Sequence, residues 1–277
     1  MKRLRFWKLT AGGNDFILIA DGPAGRAAAV SRLARRLCSR RAGIGADGLL
    51  WVRRRGGTVR PRVDYFNADG SRAFCGNGSR CAAWWLAAAG RGRRRLTMDT
   101  AGGPVWALLT GARRVRIGLR DVQRLRSGVR VRAGGRIWTA DLVDTGVPHA
   151  VVRVPGRELE TLAVRELGAR LRAHPAFGAA GANVNFVAAD GEVCRLRTFE
   201  RGVEDETWAC GTGAVAAAAV LRGRGRPGLR RVRVLTRGGA ALTVRFRSGA
   251  GGEVSEVSLE GPVEPVCEGW TSGGKAR

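Results

Sequence analysis

The chain has 277 residues, enough for two domains of ordinary size, and 44% of them are hydrophobic, which excludes a disordered protein. The longest uncharged apolar runs, 81–89 and 214–221, are too short to cross a bilayer, and no apolar signal core follows the basic N-terminus; we expect a soluble cytoplasmic protein without a membrane partner. The net charge is +26, but arginine is spread over nearly every segment instead of one block, so we attribute the excess to GC-rich codons and expect no specific nucleic-acid partner.

Strand-like segments recur along the chain with turn residues between them. Many alternate apolar and charged residues, as Val115-Arg-Ile117 does, which is the period of a sheet with one wet face. The pattern predicts strands over 3–9, 15–20, 48–54, 59–67, 95–100, 103–109, 113–119, 128–132, 136–143, 149–154, 183–189, 192–199, 230–236, 240–247 and 253–259.

Helix signals are fewer and fall at 24–41, 77–89, 158–172 and 212–222. The second and fourth are almost free of charge, so we expect both to be buried on all sides. The sequence therefore predicts an α+β fold of two pseudo-symmetric domains, each a mostly antiparallel sheet or barrel wrapped around a central buried helix.

The boundary between the domains is predicted where residues 121–127 break the strand pattern. The N-terminal half is then 1–120 and carries Cys75, and the C-terminal half is 121–277 and carries Cys210. The last strand is free to return to the first half.

Each half contains one copy of a Cys-Gly-x-Gly motif between a strand-like segment and a helix-forming run, starting at Cys75 and at Cys210. A cysteine at a helix start meets the positive end of the helix dipole and backbone N–H groups, which stabilise a thiolate. The glycines let the backbone approach a carboxylate, which such N–H groups bind. Two facing copies could hold one α-carboxylate and place a sulfur on each side of the adjacent carbon, an arrangement that can invert a stereocentre.

The remaining composition favours a reaction without metal or cofactor. The other cysteines, which we interpret as buried structural residues, are Cys38, Cys81, Cys194 and Cys267. With no C-x-x-C spacing and only two histidines, a zinc site is not expected. Pyridoxal chemistry requires a Schiff-base lysine, and the only lysines are two near the termini and Lys8, in a strand-like segment.

At these motifs the chain resembles the diaminopimelate epimerases, which are cofactor-independent two-cysteine enzymes. The resemblance spans most of the length and includes Gly13-Asn14-Asp15-Phe16, Gly43-Ile-Gly-Ala-Asp-Gly48, Phe66-Asn-Ala-Asp-Gly70, Cys75-Gly-Asn-Gly78, Gly146-Val-Pro-His149, Asn183-Val-Asn-Phe186, Glu200-Arg-Gly202 and Cys210-Gly-Thr-Gly213.

The resemblance implies conversion of LL-2,6-diaminopimelate to the meso form by Cys75 and Cys210 as paired base and acid, in lysine and peptidoglycan-precursor synthesis. It implies that Gly76, Asn77, Gly211 and Thr212 bind the reacting carboxylate through backbone N–H groups. It also implies that Asn67, Asn183 and Arg201 hold the distal carboxylate, that Glu200 holds an ammonium group, and that Asn14 and His149 line the catalytic end. A homodimer is implied as well.

Two departures from the family pattern bear on the substrate. Members usually carry Asn before the Pro-His pair, where this chain has Val147, and His-Gly-Leu before the Gly-Asn-Asp-Phe motif, where it has Thr10-Ala-Gly12. A related cofactor-free racemase with a different distal specificity is therefore the alternative. A Cys/His hydrolase using His149 leaves the second cysteine unexplained, and a nucleic-acid-binding protein leaves the whole repeat unexplained.

Overall fold

The computed structural model describes residues 3–20, 27–53, 60–89, 94–223, 228–248 and 253–271. The chain forms two compact units, the first made of Met1–Ile117 and Gly261–Arg277, the second of Gly118–Glu260. In chain order the elements are β1 (Arg5–Ala11), β2 (Asn14–Ala20), α1 (Ala27–Cys38), β3 (Gly48–Arg53), β4 (Arg62–Asn67), β5 (Arg72–Ala73), α2 (Gly76–Ala89), β6 (Arg95–Thr100), β7 (Gly103–Gly111), β8 (Arg114–Gly118), β9 (Gln123–Ala133), β10 (Arg136–Asp144), β11 (Pro148–Arg153), α3 (Gly156–Thr161), α4 (Val164–Arg172), β12 (Asn183–Asp190), β13 (Val193–Glu200), β14 (Asp205–Thr207), α5 (Gly211–Gly223), β15 (Arg231–Thr236), β16 (Ala241–Ser248), β17 (Val254–Pro262) and β18 (Glu264–Trp270).

The strands of the two units pair in the same succession. In the first unit the order is β18-β1-β2-β3-β4-β6-β7-β8, parallel at β2/β3 and β4/β6 and antiparallel elsewhere, with the short β5 on β4. In the second it is β9-β10-β11-β12-β13-β15-β16-β17, parallel at β11/β12 and β13/β15, with the short β14 on β13. The predicted α+β fold of two similar, mostly antiparallel units is confirmed.

Each unit wraps its sheet around one central helix, α2 in the first and α5 in the second. Residues 77–83 of α2 are all buried, as are residues 213–218 of α5. α2 packs against β1, β2, β3, β4, β6 and β7, and α5 packs against β10, β11, β12, β13, β15 and β16. Small alanine side chains let the sheet approach the helix from several sides, and the predicted burial of both helices is confirmed.

Outer helices cover the opposite face of each sheet. α1 buries Val30, Ala34 and Leu37 against strands of the first unit. In the second unit the single helix predicted over 158–172 is wrong, because Leu162 is extended with ψ 129° and separates α3 from α4. Arg197 accounts for the break: its Nη1 donates to the carbonyl oxygens of Leu159 and Leu162, both at 2.9 Å, and so satisfies groups that a continuous helix would bond internally.

Two strand predictions also require correction. The break predicted at residues 121–127 is only partial: β9 runs from Gln123 to Ala133, but its pairing with β10 shifts register between Arg124 and Arg126 and between Arg126 and Val129. The sequence pattern also missed β18, which pairs with β1 and lies in the first unit together with the end of β17. Residues 261–277 thus belong to the same unit as the N-terminal part of the chain. The prediction of halves 1–120 and 121–277 left open whether the last strand returns to the first half.

Candidate active site

Cys75 stands immediately before α2, in the first unit. The backbone N–H of Gly78 donates to Cys75 Sγ at 3.4 Å, and the N–H of Ser79 donates to the Cys75 carbonyl oxygen at 2.8 Å. The sulfur therefore lies against the first turn of the helix, where free N–H groups and the helix dipole favour negative charge. The side chain of Cys75 is half-buried.

Cys210 repeats this geometry before α5, in the second unit. The N–H of Gly213 donates to Cys210 Sγ at 3.4 Å, and the N–H of Ala214 donates to the Cys210 carbonyl oxygen at 3.0 Å. Thr212 adds a hydroxyl group 3.4 Å from the sulfur. The two Cys-Gly-x-Gly motifs therefore fold into the same local structure, a sulfur bonded to the amide three residues later.

Asn14 and Asn77 are hydrogen-bonded to each other at the start of α2. Asn77 Nδ2 donates to Asn14 Oδ1 at 2.7 Å, and Asn14 Nδ2 donates to Asp47 Oδ2 at 2.9 Å. Thr10, at one departure from the family pattern, donates its hydroxyl to the Asn14 carbonyl oxygen at 2.8 Å. Asn14 is thus fixed from several directions.

A charged cluster surrounds Asp47, the carboxylate that accepts the hydrogen bond from Asn14. Asp15 accepts from Lys8 Nζ at 2.6 Å and from Arg40 Nη2 at 2.9 Å, and Arg40 also reaches Asp47 at 2.7 Å. Burial raises the pKa of the Asp15 carboxyl, but the hydrogen bonds from Arg40 and Lys8 outweigh it and lower the pKa to about 2. The Gly43–Gly48 motif thereby contributes Asp47 to the support of Asn14.

Asn185 is the corresponding support beside the second sulfur. Its Nδ2 lies 3.0 Å from His149 Nδ1, and its Oδ1 accepts from Thr198 Oγ1 at 3.0 Å. His149 is fully buried; burial lowers its pKa to about 3, against the raising effect of the Asn185 hydrogen bond and with a smaller lowering effect of Arg201. The imidazole is therefore neutral at pH 7, and a hydrolase using His149 as an exposed base gains no support.

The second glycine of the C-terminal motif is required by this packing. A Cβ on Gly213 would lie 2.4 Å from Asn185 Oδ1, far inside van der Waals contact. Gly78 is tight in the same way, since its Cβ would lie 2.9 Å from Leu50 Cδ2. Both helix starts are therefore pressed against a fixed neighbour.

The predicted distal residues of the second unit lie near one another. Asn183 Oδ1 accepts from the backbone N–H of Arg201 at 2.9 Å, and Asn183 is the register partner of His149 in the parallel pair β11/β12. Glu200 accepts from Thr207 Oγ1 at 3.0 Å. Asn67, in the first unit, ends β4, and within the described residues its side chain contacts Ser71 at 2.9 Å, not the Asn14–Asn77 pair.

The other cysteines have different surroundings. Burial raises the pKa of the Cys38 and Cys194 thiols to about 12 and also raises that of Cys81. Cys267 is exposed on β18, so the interpretation of this cysteine as a buried residue is wrong. In the described ranges no group of His, Cys, Asp and Glu has the arrangement of a metal site, and no helix there is long and apolar enough to span a membrane.

Sequence reasoning overlooked three residues of these surroundings: Asp47, Asn185 and Arg80. Asp47 lies in the Gly43–Gly48 motif and Asn185 in the Asn183–Phe186 motif, but their side-chain partners come from distant segments. Arg80 lies two residues after the first motif, and its burial had a signal, because it is the single charged residue of a helix predicted to be buried on all sides.

Solved structures with this architecture include an epimerase and a phenazine biosynthesis protein. A hydroxyproline epimerase from Agrobacterium vitis matches with a TM-score of 0.69 at 17% identity, covering 98% of this chain and 91% of that one. A PhzF-family phenazine biosynthesis protein from Bacillus anthracis matches with a TM-score of 0.77 at 14% identity, covering 98% and 100%. The fold is therefore that of the racemase and PhzF-like proteins built from two similar domains.

Sequence comparison narrows this class to one family. The profile of the family described as diaminopimelate epimerase matches residues 6–118 and 142–256. The diaminopimelate epimerase of Aquifex aeolicus is 36% identical over 96% of this chain and 97% of its own length, and that of Chlorobaculum tepidum is 38% identical over 94% and 98%. The chain belongs to the diaminopimelate epimerase family.

Proposed function

We propose that this protein is an isomerase that converts LL-2,6-diaminopimelate to meso-diaminopimelate without a cofactor. Its family membership supports the reaction, and one observation carries the mechanism: Cys75 and Cys210 have the same backbone geometry, each sulfur accepting the N–H of the residue three positions on at 3.4 Å. Two equivalent sulfurs suit a reaction that must treat both faces of one carbon alike.

In the proposed reaction one sulfur is a thiolate and the other a thiol. The thiolate takes the α-proton, the electron pair of the C–H bond passes into the carboxylate, and the thiol donates its proton to the opposite face. The configuration is then inverted and the two sulfurs have exchanged protonation states. Backbone N–H groups of Gly76, Asn77, Gly211 and Thr212 stabilise the charge that develops on the carboxylate.

The rest of the substrate is assigned to the distal residues. We propose that Asn67, Asn183 and Arg201 hold the second carboxylate and that Glu200 holds an ammonium group. The Arg201 guanidinium is a planar fork suited to a carboxylate, and the bond from its backbone N–H to Asn183 supports a shared role. Asn14 orients the catalytic end with Asn77, and the buried His149 acts through Asn185.

Deuterium exchange tests this proposal. In heavy water the enzyme should load deuterium at one α-carbon of diaminopimelate, and Cys75→Ala and Cys210→Ala should each abolish epimerisation. Cys267→Ala, at an exposed cysteine away from both helix starts, is the matched control and should keep full activity. Full turnover in either of the first two variants would rule out the two-base route.

Val147 favours a second candidate, a related racemase with a different distal specificity. An apolar side chain here replaces the amide usual in the family, and it lies two residues before His149. Exchange measured over a panel of amino acids separates the two candidates. Faster exchange on a monoamino acid than on diaminopimelate would favour the second.

We further propose a cytoplasmic homodimer that serves lysine biosynthesis. The first unit has an apolar groove of about 430 Å³ lined by Trp7, Trp84 and Val266, and Val266 is 58% exposed. Exposed apolar surface of this kind commonly marks an interface, here with a second copy of the chain. Sedimentation should give a dimer mass, and Val266→Glu should shift it to that of a monomer; a monomer mass for the unaltered chain would refute the assignment.

A further inference from the structure

Arg80 is a buried cation without a counter-charge. It lies in α2 with a relative exposure of 0%, among the largest fully buried side chains. Its Nη2 donates to Asn77 Oδ1 at 2.9 Å, whereas its Nε and Nη1 have no hydrogen-bond partner in the described part of the chain. No ion pair joins it to a carboxylate there. Burying an unpaired charge is costly, so the position calls for a compensating interaction.

The guanidinium extends toward the start of the helix. Side chains on a helix lean toward its N-terminus, and the bond to Asn77 places the Arg80 head at the first turn, which begins directly after Cys75. The charged and titratable groups that act on it are Cys75, Cys81 and Arg114 of β8. Burial keeps Cys81 a thiol and Arg114 is another cation, which leaves Cys75 as the group that can supply a negative charge.

The other helix start lacks this cation. The residue five positions after Cys210, equivalent to Arg80, is Val215, an apolar member of the core of the second unit. The Thr212 hydroxyl lies 3.4 Å from the Cys210 sulfur. The two sulfurs thus share backbone geometry, but only the first helix start carries an arginine at this position.

We infer that Arg80 is a positioning residue that holds Cys75 as the thiolate in the resting enzyme, while Cys210 remains the thiol. Its use in turnover rests on the proposed two-base reaction. The ionisation of Cys75 itself is measurable without substrate. Burial lowers the pKa of Arg80 to about 10, with the nearby thiols opposing this, and the group stays charged at neutral pH.

The test is the pH dependence of cysteine alkylation by iodoacetamide. The Cys75 peptide is quantified by mass spectrometry in a Cys210→Ala background. Arg80→Met removes the charge but keeps an unbranched apolar stem, and Arg80→Lys keeps the charge. We expect Arg80→Met to raise the alkylation midpoint of Cys75 by about one pH unit, which slows alkylation about tenfold at pH values below the midpoint, and we expect Arg80→Lys to restore most of the rate.

The matched control follows the Cys210 peptide in a Cys75→Ala background, where Arg80→Met should leave the alkylation midpoint unchanged. An unchanged Cys75 midpoint in folded Arg80→Met would overturn the inference. An equal shift at Cys210, or failure of Arg80→Lys to rescue Cys75, would also overturn it, because each indicates a steric role.

A further comparison remains valid if Arg80→Met does not fold. In the chain with Arg80 intact, Cys75 should alkylate at lower pH than Cys210, and the reverse order would overturn the inference. If Arg80→Met leaves the alkylation of Cys75 unchanged while the unaltered enzyme shows full deuterium exchange, only the role of Arg80 is refuted. If alkylation of Cys75 responds as expected but the unaltered enzyme exchanges no deuterium, the ionisation of Cys75 stands and the proposed epimerisation is refuted.

Discussion

Gly213→Ala should destabilise the second unit through one steric contact. The new Cβ would lie 2.4 Å from Asn185 Oδ1, 3.2 Å from Cys210 Cβ and 3.3 Å from Thr198 Oγ1. Alanine is otherwise the better helix former, by up to about 1 kcal/mol. The steric contact with Asn185 therefore decides whether Gly213→Ala lowers or raises the stability.

The magnitude follows from the bonds that Asn185 must give up. Moving its Oδ1 by about 1 Å to a normal contact distance breaks the bond from Thr198 and the bond to His149. Each leaves a buried polar group without a partner, at about 1–3 kcal/mol. The two losses sum to about 2–6 kcal/mol, and after subtraction of about 1 kcal/mol of helix propensity we expect a net loss of about 1–5 kcal/mol in the free energy of unfolding.

A double-mutant cycle in urea isolates this contact. Asn185→Ala removes the atom that the new Cβ would meet, so Gly213→Ala should cost at least about 1 kcal/mol less in that background. Gly76→Ala is the matched control, since the nearest atom to its Cβ is Ile117 Cδ1 at 3.8 Å, and its stability should change little. Additive costs in the cycle, or equal losses from the two glycines, would refute the reasoning.

Three further outcomes are expected. Asp15→Asn should lower the free energy of unfolding by about 1–2 kcal/mol at pH 7, a range reduced for solvent screening at the exposed Arg40. Because the pKa of Asp15 is lower in the folded chain than in the unfolded chain, this loss should vanish as the pH falls from about 4 to 2. A loss that stays constant with pH in urea melts would contradict this. The unfolded chain protonates His149 near pH 6.5, whereas in the folded chain burial lowers the pKa of His149 to about 3. The free energy of unfolding should therefore fall by up to about 1.4 kcal/mol for each pH unit below 6.5. An imidazole NMR signal of His149 that titrates near pH 6.5 would refute the neutral assignment. Arg197→Met should lower the free energy of unfolding by about 2–4 kcal/mol, because it frees the carbonyl oxygens at the break near Leu162 and leaves Glu206 only the longer ion pair with Arg237. Unchanged thermal unfolding would show that the break needs no such support.

The sequence predicted the parts of the fold that local patterns encode. Nearly charge-free alanine runs gave the two central helices, and alternation gave most strands. β18 was missed because Pro265 and Gly269 interrupt its pattern, and it becomes a strand through pairing with β1 at the other end of the chain. The break at Leu162 depends on Arg197, whose partners are 35 or more residues away.

The site shows the same division between local and distant causes. The repeated Cys-Gly-x-Gly motif identified two helix starts, and both form the geometry that the motif predicts. Asn185 and Asp47 escaped notice because an asparagine in a strand and an aspartate in a loop have many ordinary explanations. Their importance lies in which side chains fold against them.

β18 has a consequence for biosynthesis. The strand that borders β1 is made from residues 264–270, so the first unit cannot complete its sheet until these residues have left the ribosome, after the second unit has been translated. The middle unit, Gly118–Glu260, is contiguous and is free to form earlier. A premature stop within residues 264–270 would therefore damage the half that is translated first.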